Sequence, residues 1–407
     1  MANAYRELFS APGSVAFSAA GFLARLPISM TGIGLITMLS QLRGQYALAG
    51  AVSAVFTFSM ALFGPQVSRL VDRHGQGRVL VPAMGISVLA MGALLLCTRY
   101  DAPVWTLFVF GILAGCMPNM AAMVRARWSE LYRDSPRLHT AFSLESVVDE
   151  LTFVVGPALS VTVCTLVFPE AGPLIATVLL AVGVLLFVAQ RGTEPPVHAP
   201  TGNGGGSALR SGPLVFLVLV LVAGGTIVGT VDVVSVNFAE HQGNTAAAGV
   251  VVSIYAVGSA LAGLAFGALK PNIPLPRLLL LFVTGTAATT VPLLVVGTIA
   301  GLSATVFFAG VFFAPSMIVI MSLVERIVPS DKLTEGMTWA LTGLSMGVAL
   351  GASVSGKTVD TFGPRGGFVV AVAAGAVALL VALLGYRPLT THDAERALPQ
   401  QDTVIHR

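Results

Sequence analysis

Phe142-Ser143-Leu144-Glu145-Ser146-Val147-Val148-Asp149-Glu150-Leu151-Thr152-Phe153-Val154-Val155-Gly156-Pro157 places three carboxylates inside an apolar run that continues to Phe168. A carboxylate in hydrocarbon costs roughly 2.5–3.5 kcal/mol on insertion scales, so such residues face a bundle interior or a water-filled cavity. At ~1.5 Å per residue, Asp149 lies about 15 Å beyond His139, near the middle of a ~30 Å hydrocarbon core. Glu145 and Asp149 are four apart and share one helix face, whereas Glu150 points about 100° away. A helix that began later would leave Glu145 among the headgroups; Asp149 and Glu150 stay inside on either reading. The expectation is that the rest of the chain builds a cavity around them.

Composition agrees with a membrane setting. Of 407 residues 55% are hydrophobic and 10% charged, against roughly 25% charged in a soluble domain. The net charge of +3 carries no nucleic-acid signature; what matters is where the basic residues sit. Cys97, Cys116 and Cys164 fall in or at the end of apolar runs with no metal-ligand spacing, and read as small core residues. No cofactor or metal is expected. The polar N-terminus lacks a cleavage signature, so the first apolar run reads as a retained span.

Apolar runs long enough to span a bilayer recur at about 14–40, 46–69, 79–98, 103–124, 140–168 and 171–190. After a break they resume at about 213–239, 246–269, 276–299, 302–325, 335–360 and 366–386. The expected organisation is an all-α membrane protein with twelve transmembrane helices. It comprises a six-helix bundle over 1–190, a flexible Pro/Gly-rich linker over 191–212, a second bundle over 213–387, and a polar tail over 388–407. With both termini cytosolic, one set of loops carries Arg69, Arg73, Arg78, Arg125, Arg127, Arg133, Arg137, Arg191, Arg210, Lys270, Arg277, Arg326 and Lys332. The opposite loops hold only Arg43, Arg99, Lys357 and Arg365. At an offset of 195 the halves echo each other: Gly156 with Gly351, Ser160 with Ser355, Pro169 with Pro364 and Gly172 with Gly367. These matches suggest a parallel duplication. Asp149 then aligns with Leu344 and Glu145 with Ala340, so the buried acids belong to the first half only.

The turn between the second and third runs reads Ser68-Arg69-Leu70-Val71-Asp72-Arg73-His74-Gly75-Gln76-Gly77-Arg78. It resembles the signature loop of the major facilitator superfamily, G-x-x-x-D-[RK]-x-G-x-[RK]-[RK]. Asp72, Arg73, Gly75 and Arg78 fit, whereas Ser68 and Gly77 depart from it. The resemblance covers about 14–387. It implies two six-helix bundles related by pseudo-two-fold symmetry, alternating access, a bacterial inner-membrane location and a monomer. It also implies that Asp72 and Arg73 gate the cytosolic side and do not bind substrate. Gly156-Pro157 resembles part of the antiporter motif of the family's drug exporters, although its terminal glycines are replaced by Ser160 and Val161. The exporters' fourth-span arginine is absent from Phe110–Gly115, which puts their usual coupling scheme in doubt.

Arg25, about midway along the first run, stays charged. It is expected to pair with Asp149, Glu150 or Glu145, either as a coupling device that exchanges an ion pair for a proton or substrate, or as a static structural pair. Asp232 in the seventh run is a candidate second proton or substrate site, or a water-exposed acid. Asn119, Asn237, Trp339 and Met346 are candidate cavity residues. Gly343, Gly347 and Gly351 form a repeated G-x-x-x-G that permits close helix approach. Gly343-Leu344-Ser345-Met346-Gly347 is formally a serine-hydrolase motif, but the six histidines fall in loops, tails or span ends, so no general base is placed to serve it. The chain reads as a secondary transporter: proton-coupled export of small organic molecules, or uptake of a sugar, amino acid or organic anion. Substrate, protons and lipid are the expected partners. A non-transporting receptor finds no signalling domain to support it.

Overall fold

A computed structural model describes residues 2–197, 206–243, 247–269 and 273–397. Lys270 lies outside them, as does part of the Gly-rich linker. The described residues fold into helices: α1 (Ala2–Leu8), α2 (Ser14–Arg43), α3 (Tyr46–His74), α4 (Gln76–Arg99), α5 (Val104–Ala114), α6 (Met120–Leu131), α7 (Arg137–Leu166), α8 (Ala171–Ala189), α9 (Gly212–His241), α10 (Ala247–Ala268), α11 (Leu275–Thr290), α12 (Ile299–Ile327) and α13 (Leu333–Ala397). Among the described residues eleven helical segments are long and apolar enough to cross a membrane. Phe58, Leu62, Leu89, Leu96, Val178 and Leu185 are exposed on their flanks, as expected of surface that meets lipid tails.

Two departures from the expected spans have local causes. The fourth run divides into α5 and α6. Pro118 has no N–H and disfavours helical backbone at Met117. Asn119 then takes extended backbone, and its side-chain oxygen caps α6 by accepting from the Ala122 N–H at 3.2 Å. Asn119 therefore has a structural role that its reading as a cavity residue did not anticipate. The last two runs are joined in α13, which bends at Gly363 (φ +69°); with the short 3-10 turn Ser330–Lys332 before it, it makes up candidate spans at Ser330–Val359 and Thr361–Thr390. Helix continues through the expected tail as far as Ala397.

The chain divides into two compact units: Met1–Gly204 with Gly263–Leu269, and Gly205–Ala262 with Lys270–Arg407. The first has two apolar centres, one around Phe17, Met123, Trp128 and Phe187, the other around Leu35, Phe56, Met91 and Leu94. In the second unit, Val231, Val234, Leu302, Val306 and Phe368 share one core. There α9 and α13 meet backbone to backbone: a Cβ added to Gly351 would strike the Thr226 carbonyl, and one added to Gly229 the Val348 carbonyl. This is the close approach expected of the repeated glycines.

Candidate functional site

In the first unit, the α6–α7 turn sets two helices side by side so that their polar residues pair rung by rung. Arg125 and Trp128 lie one turn apart on α6, and Asp149 and Glu145 lie one turn apart on α7. Arg125 Nη2 donates to Asp149 Oδ2 at 2.6 Å, and Trp128 Nε1 donates to Glu145 Oε1 at 2.8 Å. Arg25 enters from α2 and bridges both acids. Its Nη2 meets Glu145 Oε2 at 2.5 Å, and its Nη1 meets Asp149 Oδ1 at 2.9 Å. Arg25, Arg125 and Glu145 are 3%, 0% and 0% exposed, whereas Asp149 is 20% exposed.

Two guanidinium groups and two carboxylates make this cluster formally neutral, which is what allows it to exist away from water. A buried ion costs several kcal/mol in lost hydration, and only good geometry with further hydrogen bonds offsets that. Glu145 has such surroundings. Its indole partner is itself clamped by Phe17, edge-on at 4.6 Å, and stacked on Tyr132 at 5.9 Å. Asp149 differs: it divides its oxygens between two arginines and keeps part of its surface exposed. The expected pairing of Arg25 with Glu145 and Asp149 is thus present, while Glu150, half-buried, lies one residue further round α7. Arg125 and Trp128 are the members that sequence reasoning missed. Arg125 reads as one of several basic loop residues until α6 is seen to carry it inward.

Gly156 serves the same region by packing. Ser29 of α2 donates to the Thr152 carbonyl at 2.8 Å, and Ser160 donates to the Met30 carbonyl at 2.9 Å. Gly156 lies between these contacts, where an added Cβ would strike Ser29 Oγ.

The signature loop lies at the linker end of the first unit. Gly75 has φ +89° between α3 and α4, backbone that an L side chain rarely adopts. Arg73 and Arg78 are exposed and Asp72 half-buried. A second layer holds the turn. Gln76 donates to the Met123 carbonyl at 3.1 Å and accepts from Arg127 Nε at 2.8 Å. Arg127 also reaches the Gln190 carbonyl and lies 3.8 Å above the Phe187 ring. Glu194, from the segment expected to be loose, accepts from the Gly77 N–H at 2.8 Å at the start of α4. A carboxylate there gains from the helix dipole and satisfies an otherwise unpaired donor. Glu194→Ala is expected to lower thermal stability modestly, by about 1 kcal/mol, with Glu194→Gln losing about half as much. Matched unfolding midpoints in detergent measure both.

The remaining candidates belong to the second unit. Asp232 and Met346 are exposed, and Asn237 and Trp339 half-buried. Trp339 Nε1 lies 3.4 Å from Glu335 Oε1, which also accepts from Ser207 Oγ and the Ala208 N–H. Glu335 therefore anchors the far end of the linker. Thr230 Oγ1 and Asn237 Oδ1 are buried without a hydrogen-bond partner among the described residues.

The family model described as Major Facilitator Superfamily matches residues 17–269 and 233–406. The chain belongs to this superfamily. Solved structures of superfamily transporters share its fold. A bacterial homologue of the iron transporter ferroportin, in an outward-facing state, aligns with TM-score 0.72 at 13% identity, over 91% of this chain and 98% of that one. The E. coli fucose:proton symporter aligns with TM-score 0.69 at 12% identity, over 91% and 98%. A human organic anion transporter aligns with TM-score 0.66 at 14% identity, over 92% and 100%. No curated protein matches the sequence. As a superfamily member the chain is a multi-pass membrane carrier and not an enzyme, and it performs secondary transport of small molecules.

Proposed function

We propose that the protein couples movement of a small organic molecule to protons, with Asp149 as the carboxylate that gains and loses the proton. One observation carries this reading: Asp149 is the single partly exposed member of a buried, charge-balanced cluster, and it holds two arginines at once. Protonating Asp149 withdraws one negative charge and releases donors on Arg25 and Arg125 for a substrate. Proton and substrate then enter the site together, which is the linkage of a symporter. Export, the direction suggested by Gly156-Pro157, is the alternative reading; Gly156 also packs α7 against α2. Asp232 is exposed on a spanning helix, where an acid faces water and not lipid, and it serves as a second polar station. Asp72, Arg73, Gly75 and Arg78 act in gating. The Lys/Arg bias of the loops supports an orientation with both termini cytoplasmic, and the likeness to the superfamily's bacterial members favours a monomer in an inner membrane.

The test is proton flux into liposomes containing purified protein and an internal pH dye, with a panel of sugars, amino acids, organic anions and lipophilic cations. Asp149→Asn is expected to abolish substrate-dependent flux while leaving substrate binding measurable. Flux that persists in Asp149→Asn removes Asp149 from coupling, and the direction of flux relative to substrate separates symport from exchange.

A further inference from the structure

Arg125 is under-used for its burial. A guanidinium has five N–H donors in a planar fork suited to two parallel bonds with a carboxylate. In Arg125, wholly buried, Nη2 meets Asp149 and Nη1 makes a long contact of 3.4 Å with the Ala121 carbonyl. Its Nε is buried with no partner among the described residues. The Nε/Nη2 edge, which takes a carboxylate side-on, is thus half filled. It is half filled because Asp149 sends its other oxygen to Arg25. An untethered carboxylate in the same place is free to turn both oxygens to Arg125, satisfying the orphaned Nε.

The charges point the same way. Glu145 remains on Arg25 and Trp128, buried and fully held. Once Asp149 is neutral, the four-residue cluster carries a net positive charge in a place with little water. An anion relieves that excess, whereas a cation meets two guanidinium groups. Asp149 is the one member with exposed surface, 20%, so a ligand reaches the two arginines at the place its carboxylate holds.

We infer that the substrate carries a carboxylate, and that in the empty carrier Asp149 occupies its place on Arg125 and Arg25. This rests on the reading of the cluster as the transport site. Two features of the substrate follow: a planar monoanionic group that engages Arg125 through two oxygens, and a remainder that need not be charged.

Rescue by a small anion tests the inference without requiring transport. Full-length Asp149→Ala, purified in detergent, is titrated with sodium acetate, with acetamide as the neutral isostere and sodium chloride as the ionic-strength control. The expected result is a saturable rise in thermal midpoint with acetate, absent with acetamide or chloride, weaker in wild type, where Asp149 competes for the place, and lost in Asp149→Ala/Arg125→Ala. Asp149→Ser, which keeps a small polar group but leaves the carboxylate's place open, gives the same readout if the alanine variant does not fold. A rise of equal size in the variant lacking Arg125, or none beyond chloride in both single variants, overturns the inference. Proton flux in liposomes is scored separately. Saturable acetate binding with no coupled flux refutes the coupling role of Asp149 and keeps the carboxylate site, whereas coupled flux without acetate binding does the reverse.

Discussion

Arg25→Ala is expected to destabilise the folded protein by about 3–5 kcal/mol, the range for removing one partner of a buried ion pair. The large value follows from what is left behind. Glu145 is wholly buried, and without Arg25 its charge is held by the Trp128 N–H alone. Asp149 loses one of its two arginines but keeps Arg125 and some solvent, so most of the loss arises at Glu145. Arg25→Lys is expected to fall between wild type and alanine, because one ammonium cannot present the planar fork that spans both acids. Removing both partners, as in Arg25→Leu/Glu145→Leu, is expected to recover much of the stability, since no uncompensated charge stays inside. Thermal unfolding in detergent with a thiol-reactive dye is a convenient measure, because Cys164 is a free, buried cysteine. A midpoint for Arg25→Ala equal to that of wild type would show that Glu145 takes up a proton or finds water, and that the cluster adds nothing to stability.

Most of the membrane architecture was legible because hydrocarbon imposes long apolar runs, and such runs are visible in any one sequence. The superfamily was legible from Asp72, Arg73, Gly75 and Arg78. Carboxylates in one apolar run, with one arginine in another, pointed to Arg25, Glu145 and Asp149, three members of the ion-pair cluster. What stayed hidden has a common cause: a residue next to a span end has two fates, and the choice is made by a local break. Pro118 and Asn119 end α5 and restart the helix as α6, and that break carries Arg125 and Trp128 into the core. The basic residues around Arg125 made a loop the natural reading. Glu194 was hidden likewise, since a Pro-flanked acid in a linker gives no sign that the start of α4 is within reach. Substrate chemistry sits further still from the sequence, because it depends on which donors remain unpaired after folding, such as Arg125 Nε.

The second large effect is expected at Gly347, where replacement by Val or Leu should abolish the close packing of α13 on α9 and leave little folded protein. A Cβ at Gly347 would strike the Val222 carbonyl oxygen and lie 2.8 Å from its carbon and 3.0 Å from Gly225 Cα. These are backbone atoms, so relief requires the helices to separate and cannot come from a rotamer change. Separation spreads along the seam. Gly343 faces Val218, Gly351 faces Thr226, and in the other direction Gly225 and Gly229 face the backbone at Leu344 and Val348. Even Gly347→Ala is expected to cost about 1–3 kcal/mol, the usual range for overpacking. Gly356, on the same helix, has nothing within 4 Å of an added Cβ, so Gly356→Ala is expected to be neutral or to stabilise by up to about 1 kcal/mol through helix propensity. Unfolding midpoints of the two alanine variants, measured side by side, separate steric contact from propensity. A fall at Gly347 with none at Gly356 assigns the repeated glycines to the helix interface; equal midpoints would mean that the seam opens at little cost, as it must if α13 slides on α9 during transport.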